Sequence, residues 1–248
     1  MKARKTKDRI LDTSIRLFNE RKASNVSTVQ ISAEMGISPG NLYYYYDNKE
    51  EVIRCIWTER MKSEAEALVE KYAEVRSAAD FIECIREALK HCLKYRFFYT
   101  ELTTLFANDN MLIDMYRDLK DRIRAAAVEM HKTLVREDMT PELDRDDIEA
   151  AADNGVALLV GLVMYCDVMA VEGQSMEVSA SKALIRMVRY MIMMKRFGSA
   201  MSAELEKELE RMPASVCRGA GISCDTSGLR DTAISDLLLY VDRVLCGL

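Results

Sequence analysis

Residues 36–49 read GISPGNLYYYYDNK and bring together several side chains that can bind a polyanion. Tyrosine hydroxyls can donate hydrogen bonds to phosphate oxygens, an asparagine amide can bond a base edge, and a lysine can reach a phosphate. Four consecutive rings, Tyr43 to Tyr46, cannot all lie on one side of a helix, so at least two should face solvent. This pattern predicts contact with nucleic acid. The competing interpretation, in which the rings pack on neighbouring helices, fits Tyr46 best and Tyr43 least.

Two elements precede this stretch and must position it. Residues 6–22 carry apolar side chains at helical spacing with charged side chains opposite, which predicts a first amphipathic helix. Ser27 or Thr28 can cap a second helix, because a hydroxyl accepts a hydrogen bond from the free amides of the first turn. That helix should end at Gly36, since glycine adopts a positive φ without steric cost.

A third helix should carry the polar and aromatic side chains. Ser38 can cap it, Pro39 suits its first position, and we expect it to run to about Tyr46. Two short helices joined by a glycine turn predict a helix-turn-helix, whose second helix enters a DNA groove. Gly40 would let the backbone of that helix approach a duplex closely.

Charge is unevenly distributed along the chain. Overall, 35 basic and 40 acidic residues give a net charge of −5, which argues against an electrostatic grip by the whole protein. Residues 1–25 contain eight basic and only three acidic residues, so the excess of acid lies downstream. A basic head on an acidic body predicts that the head alone meets a polyanion, with Lys2 to Lys7 helping to grip its backbone.

The stretch STVQISAEMGISPGNLYYYYDNKEEVI resembles the DNA-binding signature of the TetR family, T-x-x-x-I-A-x-x-x-G-V-S-x-G-T-L-Y-Y-H-F-x-x-K-E-x-L. The likeness covers about residues 8–54 and is specific, because polar, glycine, aromatic and lysine positions agree in one register. It implies that Leu42 and Tyr46 pack in the core of the head, with the Tyr46 hydroxyl at the rim of that core. The predicted DNA-binding residues are Thr28, Ser38, Gly40, Asn41, Tyr43, Tyr44, Tyr45 and Lys49.

Four positions depart from the family pattern. Asn41 stands where threonine is common, Tyr45 where histidine is common, and Tyr46 where phenylalanine is common, while Ser32 replaces the usual alanine. Asn41 and Tyr45 sit where bases are read, so the resemblance does not give the operator sequence.

The composition predicts an all-α protein, since three prolines and ten glycines are few for 248 residues and helix-forming residues dominate. We expect an N-terminal three-helix DNA-binding domain with the helix-turn-helix at residues 1–48, called the head. A larger helical ligand-binding and dimerisation domain, called the body, should occupy residues 49–212. Residues 213–248 predict a loop and an amphipathic C-terminal helix that packs on the body or on a partner subunit.

The body should begin with a long helix. Asn48 followed by Glu51 is a capping-box pattern, and apolar spacing continues to about Val75. Further helices are expected at 80–95, 111–135 and 146–171. In the TetR family part of the apolar core of the body is left open as an effector pocket. The predicted lining residues are Phe81, Ile85, Leu102, Phe106, Tyr116 and Met130.

Two late segments indicate a subunit interface. The helix at 146–171 contains NGVALLVGLVMYCDVM, which is apolar on nearly every side, and KALIRMVRYMIMMKRF follows with a broad apolar face. A helix that is apolar all round must be buried on all sides. The resemblance supports a homodimer in which the last two body helices form a four-helix bundle. Two-fold symmetry would then place two heads on successive major grooves, about 34–36 Å apart.

Neither a targeting segment nor a membrane span is evident. The N-terminal residues are charged throughout, and the longest apolar run, Val156 to Cys166, has 11 residues, whereas a membrane span needs about 20. We therefore expect a cytoplasmic protein without membrane association.

Catalytic and metal-binding patterns are also missing from the sequence. His91 and His131 are the only histidines, and neither has a catalytic or ligand partner at a recognisable spacing. Seven scattered cysteines lack metal-binding spacing, so we expect mostly free thiols, no enzyme activity and no cofactor. Cys217 and Cys224 are the pair most suited to redox chemistry.

These patterns together predict a TetR-like repressor that binds a palindromic double-stranded DNA operator as a dimer. A small apolar effector would occupy the body and release the DNA. Two alternatives keep the DNA-binding head: release by oxidation of Cys217 and Cys224, or control by a protein partner that binds the body and tail.

Overall fold

A computed structural model describes residues 2–137, residues 140–168 and residue 207. Within these ranges the regular elements are all helices, which confirms the predicted all-α class. The predicted second interface helix, the C-terminal helix, Cys217 and Cys224 lie outside the described residues.

The head begins with α1, Lys2–Arg21, followed by a 3₁₀ turn, Ala23–Asn25. The α1 helix starts earlier than the sequence predicts, and its apolar side chains Ile10, Leu17 and Phe18 are fully buried. Burial of this stripe against the next helices forms the core of the head and holds them in place.

The second helix, α2, spans Thr28–Met35, and local chemistry sets both of its ends. Ser27 Oγ accepts a hydrogen bond from the Gln30 amide at 3.2 Å, while the Gln30 side chain accepts from the Ser27 amide at 2.8 Å. This reciprocal pair is a capping box. Gly36 ends the helix with φ of 67°, the left-handed conformation that the sequence predicts there.

The third helix, α3, spans only Pro39–Tyr43, so the predicted extension to Tyr46 is wrong. The Tyr45 amide donates to the Leu42 carbonyl at 2.9 Å, and the chain turns inward there. The turn carries the ring of Tyr46 into the core, where the side chain is 1% exposed. The helix α3 therefore ends early, and the chain that follows it buries the Tyr46 ring instead of forming another helical turn.

A long helical segment joins the head to the body. It comprises α4, Lys49–Ile56, a π-helical turn, Trp57–Met61, and α5, Lys62–Ala73. Asn48 caps α4, since its Oδ1 accepts from the Glu51 amide at 2.8 Å. The Glu51 carboxylate bonds the amide of Asp47 rather than that of Asn48, so the return bond of the predicted capping box reaches one residue further back.

Five further helices build the described part of the body. They are α6, Ala78–Lys94; α7, Arg96–Thr100; α8, Leu102–Asn108; α9, Asn110–Arg136; and α10, Arg145–Val168. The α9 helix packs against α5 and α10, and α10 also contacts α6 and α7. The core that results is continuous with that of the head.

The joint between head and body is rich in polar contacts. Glu101, which is 7% exposed, accepts hydrogen bonds from the backbone amides of Ala23 and Ser24. Asn19 Oδ1 accepts from the Phe97 amide at 3.0 Å. These bonds fasten the end of α1 and the following 3₁₀ turn to the short helices α7 and α8.

The last described helix is unusually apolar and incompletely covered. Residues Arg145–Asp167 have the length and mean hydropathy, 1.4, that would suffice to cross a membrane, yet only 17% of the most apolar window is buried. Beyond its first turn, the exposed positions lie on one face of α10: Ala150, Asn154, Ala157, Gly161, Met164 and Tyr165. Charged side chains nevertheless tie the helix to its neighbours, because Asp153 pairs with Arg124 at 2.5 Å.

Candidate nucleic-acid interface and body cavity

The exposed face of the head is built by the start of α3. Ser38 Oγ accepts from the Asn41 amide at 3.3 Å, so this predicted residue shapes the helix end, while Asn41 itself is exposed. A Cβ placed on Gly40 would meet no atom within 4 Å. The packing of the chain therefore does not require glycine at this position, and the open space lies outside the protein.

Two of the predicted residues are joined across the helix-turn-helix. The hydroxyl oxygens of Tyr43 and Thr28 are 2.9 Å apart, which links α3 to the start of α2. Thr28 is 8% exposed, whereas Tyr43 is 48% exposed. Tyr43 therefore presents its ring to solvent while its hydroxyl fixes the angle between the two helices.

The next two rings form a pair at the protein surface. Tyr44 is 79% exposed, and its ring meets that of Tyr45 edge-on, with centroids 5.0 Å apart. Tyr45 is half-buried. Tyr44 is therefore free to meet a partner, and Tyr45 supports it from behind.

Lys49 lies close to the same surface but is already engaged. Its Nζ donates to the Ala23 carbonyl at 2.8 Å, which ties the start of α4 to the 3₁₀ turn. A lysine has three donors, so the remaining two can still serve a phosphate. Thr28, Tyr43 and Lys49 border one open groove together with residues 24–27. The structure therefore brings these three predicted residues together.

Tyr46, unlike Tyr43 and Tyr44, is buried in the core of the head. Its ring is buried as predicted, but the expected position of its hydroxyl at the rim is wrong, because that oxygen is buried and has no hydrogen-bond partner in the described part of the chain. Burial raises the pKa of the Tyr46 phenol. Lys7 Nζ lies 5.5 Å from the ring centroid and also pairs with Glu59 at 2.9 Å. Lys7 therefore interacts with side chains of the protein itself and is less available to a DNA backbone than its predicted role in residues 2–7 implies.

The helices α5, α6, α7, α9 and α10 border a partly open cavity of about 170 Å³ in the body. Of the predicted lining residues, Phe81, Ile85 and Tyr116 contribute to its wall. Leu102, Phe106 and Met130 do not line it. Phe106 instead packs behind the wall, with its ring centroid 5.4 Å from that of Tyr116.

The sequence does not identify several wall residues of this cavity. Ala151, Gly155, Val156 and Leu159 come from α10, a helix whose apolar residues we assigned wholly to a subunit interface. A helix that is apolar all round has enough apolar surface both to line a cavity and to form a subunit interface. This all-round apolar pattern is the feature of the sequence that could have indicated the cavity wall.

A polar side chain, His91, interrupts the apolar wall. It is 7% exposed, and neither of its ring nitrogens has a hydrogen-bond partner among the described residues. Nδ1 lies 3.4 Å from Glu64 Oε2, close enough for attraction but not aligned for a hydrogen bond. Burial lowers the pKa of His91, an effect that outweighs the nearby carboxylate. The imidazole is therefore neutral at physiological pH.

The described cysteines, none of which forms a disulfide within the described residues, are Cys55, Cys84, Cys92 and Cys166. Burial raises the pKa of Cys84 to about 11 and that of Cys92 to about 12. Both thiols line the cavity in their protonated, poorly nucleophilic form. Among the described residues no group of three or more His, Cys, Asp or Glu side chains could hold a metal ion.

Two family profiles match the chain. The family profile described as TetR, bacterial transcriptional repressor, matches residues 60–195, which is more than half of the chain. The chain belongs to the TetR family. A second profile, for the N-terminal region of bacterial regulatory proteins of the tetR family, matches residues 10–55 and contains the whole helix-turn-helix. The protein is therefore a transcriptional regulator of TetR type.

Individual TetR-family relatives resemble parts of the chain. It is 44% identical over 48 residues to IcaR of Staphylococcus epidermidis, a negative transcriptional regulator of the biofilm operon icaADBC. That match covers 19% of this chain and 26% of IcaR, so the chain spans about a quarter of the length of this relative.

Two solved structures share the fold more completely. A TetR-family regulator from Marinobacter aquaeolei VT8 has a TM-score of 0.69 at 22% identity, with 82% of this chain and 96% of that chain covered. A transcriptional regulator from Saccharomonospora viridis, solved in complex with choline, has a TM-score of 0.58 at 18% identity, covering 75% and 95%. At these identities the likeness shows the fold.

Proposed function

We propose that this TetR-family regulator is a homodimeric repressor that binds a two-fold-symmetric DNA operator and releases it when a small apolar molecule fills the body cavity. The observation that carries the proposal is an aromatic chain running from the cavity wall to the head. The IcaR relative, named as a negative regulator, supports repression rather than activation. The choline complex of the Saccharomonospora regulator supports a small-molecule effector.

DNA contact is supported by what the head leaves available. Tyr44 is almost fully exposed, Tyr43 is half exposed, and Gly40 leaves open space in front of the backbone. Exposed phenols beside a helix-turn-helix are suited to phosphate contacts, which orient a protein on the duplex. Asn41 and Tyr45 are the residues that we expect to differ in base reading from other family members.

The aromatic chain supplies a physical route between the two sites. Tyr116 lines the cavity, and its ring centroid lies 6.5 Å from that of Trp57 in the π-helical turn. Trp57 packs on Phe98 at 5.0 Å, and the neighbouring Phe97 packs on Phe18 of α1 at 5.2 Å. A ligand that displaces Tyr116 therefore moves rings that are in contact with the head.

The energetic demand on this coupling is modest. A coupling free energy of about 1–3 kcal/mol corresponds to roughly a 5- to 150-fold change in operator affinity. Such a change requires only that the ligand bind one spacing of the two heads more tightly than the other.

Dimerisation is supported by the uncovered face of α10. Met164 is 45% exposed and Tyr165 is 43% exposed, and a Cβ on Gly161 would meet nothing within 4 Å. An apolar face with room for close approach fits a second copy of the same helix. Asp153 and its ion pair with Arg124, near the middle of α10, disfavour the rival interpretation of a membrane span.

The experiment that tests the proposal measures operator binding and release together. An operator is first selected from random duplex DNA with the full chain, and its affinity is then measured by fluorescence anisotropy at several salt concentrations. We expect the logarithm of the affinity to fall steeply and linearly with the logarithm of salt concentration. Ala88 of α6 lines the cavity. Ala88→Phe, which fills the cavity from that side, should retain operator binding but no longer respond to an effector.

A matched pair of variants tests the head directly. Tyr44→Ala should weaken operator binding about fivefold, as expected when a net hydrogen bond of about 1 kcal/mol is lost. Tyr44→Phe keeps the ring and separates the hydroxyl contribution from the packing contribution. Unchanged affinity of Tyr44→Ala at fixed salt would remove Tyr44 from the interface.

Sedimentation experiments test the proposed dimer, and a monomeric chain would contradict it.

A further inference from the structure

The body cavity contains a buried hydrogen-bonding group that the protein leaves unused. His91 lies in the cavity wall on α6, its side chain is 93% buried, and its Nε2 has no hydrogen-bond partner among the described residues. A buried polar atom without a partner is costly, and native proteins rarely keep one without a reason. Nε2 itself is buried, so a ligand atom reaches it when the imidazole ring turns towards the cavity. In a wall that is mostly apolar, a ligand can then supply the partner.

The surroundings of His91 determine which kind of partner it needs. A neutral imidazole carries its proton on one nitrogen and a lone pair on the other. Glu64 Oε2, an acceptor 3.4 Å from Nδ1, favours the proton on Nδ1. The other oxygen of Glu64 accepts from Lys94 and from the Tyr95 hydroxyl, which holds the carboxylate in place. Nε2 therefore presents a lone pair and requires a donor.

Two other polar groups of the wall are already engaged. The Tyr99 hydroxyl interacts with the Cys92 thiol, and Lys120 Nζ lies 3.5 Å from Asp153 Oδ2. Lys120 is therefore compensated by a carboxylate and does not leave an unpaired positive charge for an anionic ligand.

From this arrangement we propose that the effector is a neutral aromatic alcohol of the phenol class, whose hydroxyl donates to Nε2 of His91 while its ring fills the apolar cavity. This inference rests on the proposed function of the cavity as the effector site. It makes His91 a specificity-determining residue for a hydroxyl on an otherwise apolar ligand.

The size and polarity of the cavity agree with this class of ligand. A dry apolar cavity of about 150 Å³ is known to accept benzene, and the volume here is about 170 Å³. One substituted aromatic ring therefore fits. A carboxylate of the same size would have to leave water for an apolar wall, and a neutral histidine would not balance its charge.

Phenol and toluene test the inference because they have nearly the same shape and differ in the hydroxyl. Each is titrated into the purified full chain by calorimetry, with benzoate as the anionic comparison. We expect phenol to bind about tenfold tighter than toluene, because toluene leaves Nε2 unpaired, and benzoate to bind more weakly than phenol. His91→Phe should abolish the preference for phenol over toluene, and His91→Gln, which retains an acceptor, should restore part of it.

Tyr44→Phe is the matched control, since it removes a tyrosine hydroxyl from the surface of the head, outside the cavity wall, and should leave the phenol preference intact. Circular dichroism and thermal melting confirm that each variant is folded. Equal binding of phenol and toluene to the unchanged protein overturns the inference, as does a preference that survives in His91→Phe. Failure of both probes to bind, or tighter binding of benzoate, overturns it as well.

Operator binding measured in parallel separates this inference from the proposed function. If phenol binds through His91 but does not release the operator, the ligand class stands and the effector role of the cavity fails. If neither phenol nor toluene binds while Ala88→Phe still abolishes a response to some other ligand, the effector site stands and the phenol class fails.

Discussion

Among the described residues, the head and the body each bury one tyrosine or histidine whose polar atoms lack a hydrogen-bond partner, but the two sites differ in their surroundings. Tyr46 lies in the close-packed core of the head, where its hydroxyl is buried without a hydrogen-bond partner although the charged side chains of Asp8, Glu59 and Arg60 are near it. His91 borders a cavity in the body. In the close-packed site the missing bond is only a cost, whereas beside a cavity it can be satisfied by a molecule from outside. Packing density therefore distinguishes a structural residue from a ligand-binding one.

The largest expected effect tests that difference in packing. Phe18 is fully buried and its ring packs at a tilt against that of Phe97. Replacing it by alanine should lower the free energy of unfolding by about 3–5 kcal/mol. Phe81→Ala should cost less, because one side of the Phe81 ring already borders empty space. Urea unfolding of the two variants measures both values. Equal losses would show that the body packs as tightly around Phe81 as the head packs around Phe18.

A smaller effect tests the cost of the unpartnered hydroxyl. Tyr46→Phe removes a buried oxygen without changing the ring, so it should raise the unfolding free energy by about 1 kcal/mol. Tyr95→Phe is the matched control, because Tyr95 is also fully buried but its hydroxyl donates to Glu64 at 3.0 Å. That variant should lose stability in the same urea titration. A loss in both variants would mean that the Tyr46 hydroxyl has a partner in solution.

The smallest effect concerns the pH dependence of the body. Burial lowers the pKa of His91 below its ordinary 6.5, an effect to which Lys94 adds and which Glu64 opposes. The unfolded chain therefore takes up a proton more readily than the folded one. The stability contributed by the neutral residue is complete above about pH 6.5 and is lost as the pH falls towards the lowered pKa.

His91→Phe should accordingly lose less thermal stability than the unchanged protein between about pH 7 and pH 5.5. Some acid dependence should persist, because burial also lowers the pKa of His131. An identical change of melting temperature with pH in the two proteins across that range would show that His91 titrates equally in the folded and unfolded states.

The head could be predicted in detail because its signals are local. Ser27 with Gln30, Gly36, and Ser38 with Pro39 each specify a helix end through atoms only a few residues apart. The one large error in the head, the length of α3, arose because the burial of Tyr46 depends on α1, which is distant in sequence.

The cavity could be predicted only in part because it depends on packing between distant helices. Phe81 and Ile85 were identified from the apolar face of α6, which does point to the interior. Phe106 belongs to a similar stripe but packs behind Tyr116. The sequence offers no signal that separates a residue lining an empty space from one filling it. The unpartnered state of His91 likewise emerges only when α5 places Glu64 beside it at a poor angle.

The fastening of α1 by Glu101 has a consequence for chimeric regulators. The amides of Ala23 and Ser24 are satisfied by a carboxylate from the body, and Asn19 is bonded to the backbone of α7. A head cut out at residue 48 and grafted onto the body of another family member would lose the partners of these bonds and the contact of Phe18 with Phe97. We therefore expect a chimera to keep a more stable head when residues 97–101 are transplanted together with it.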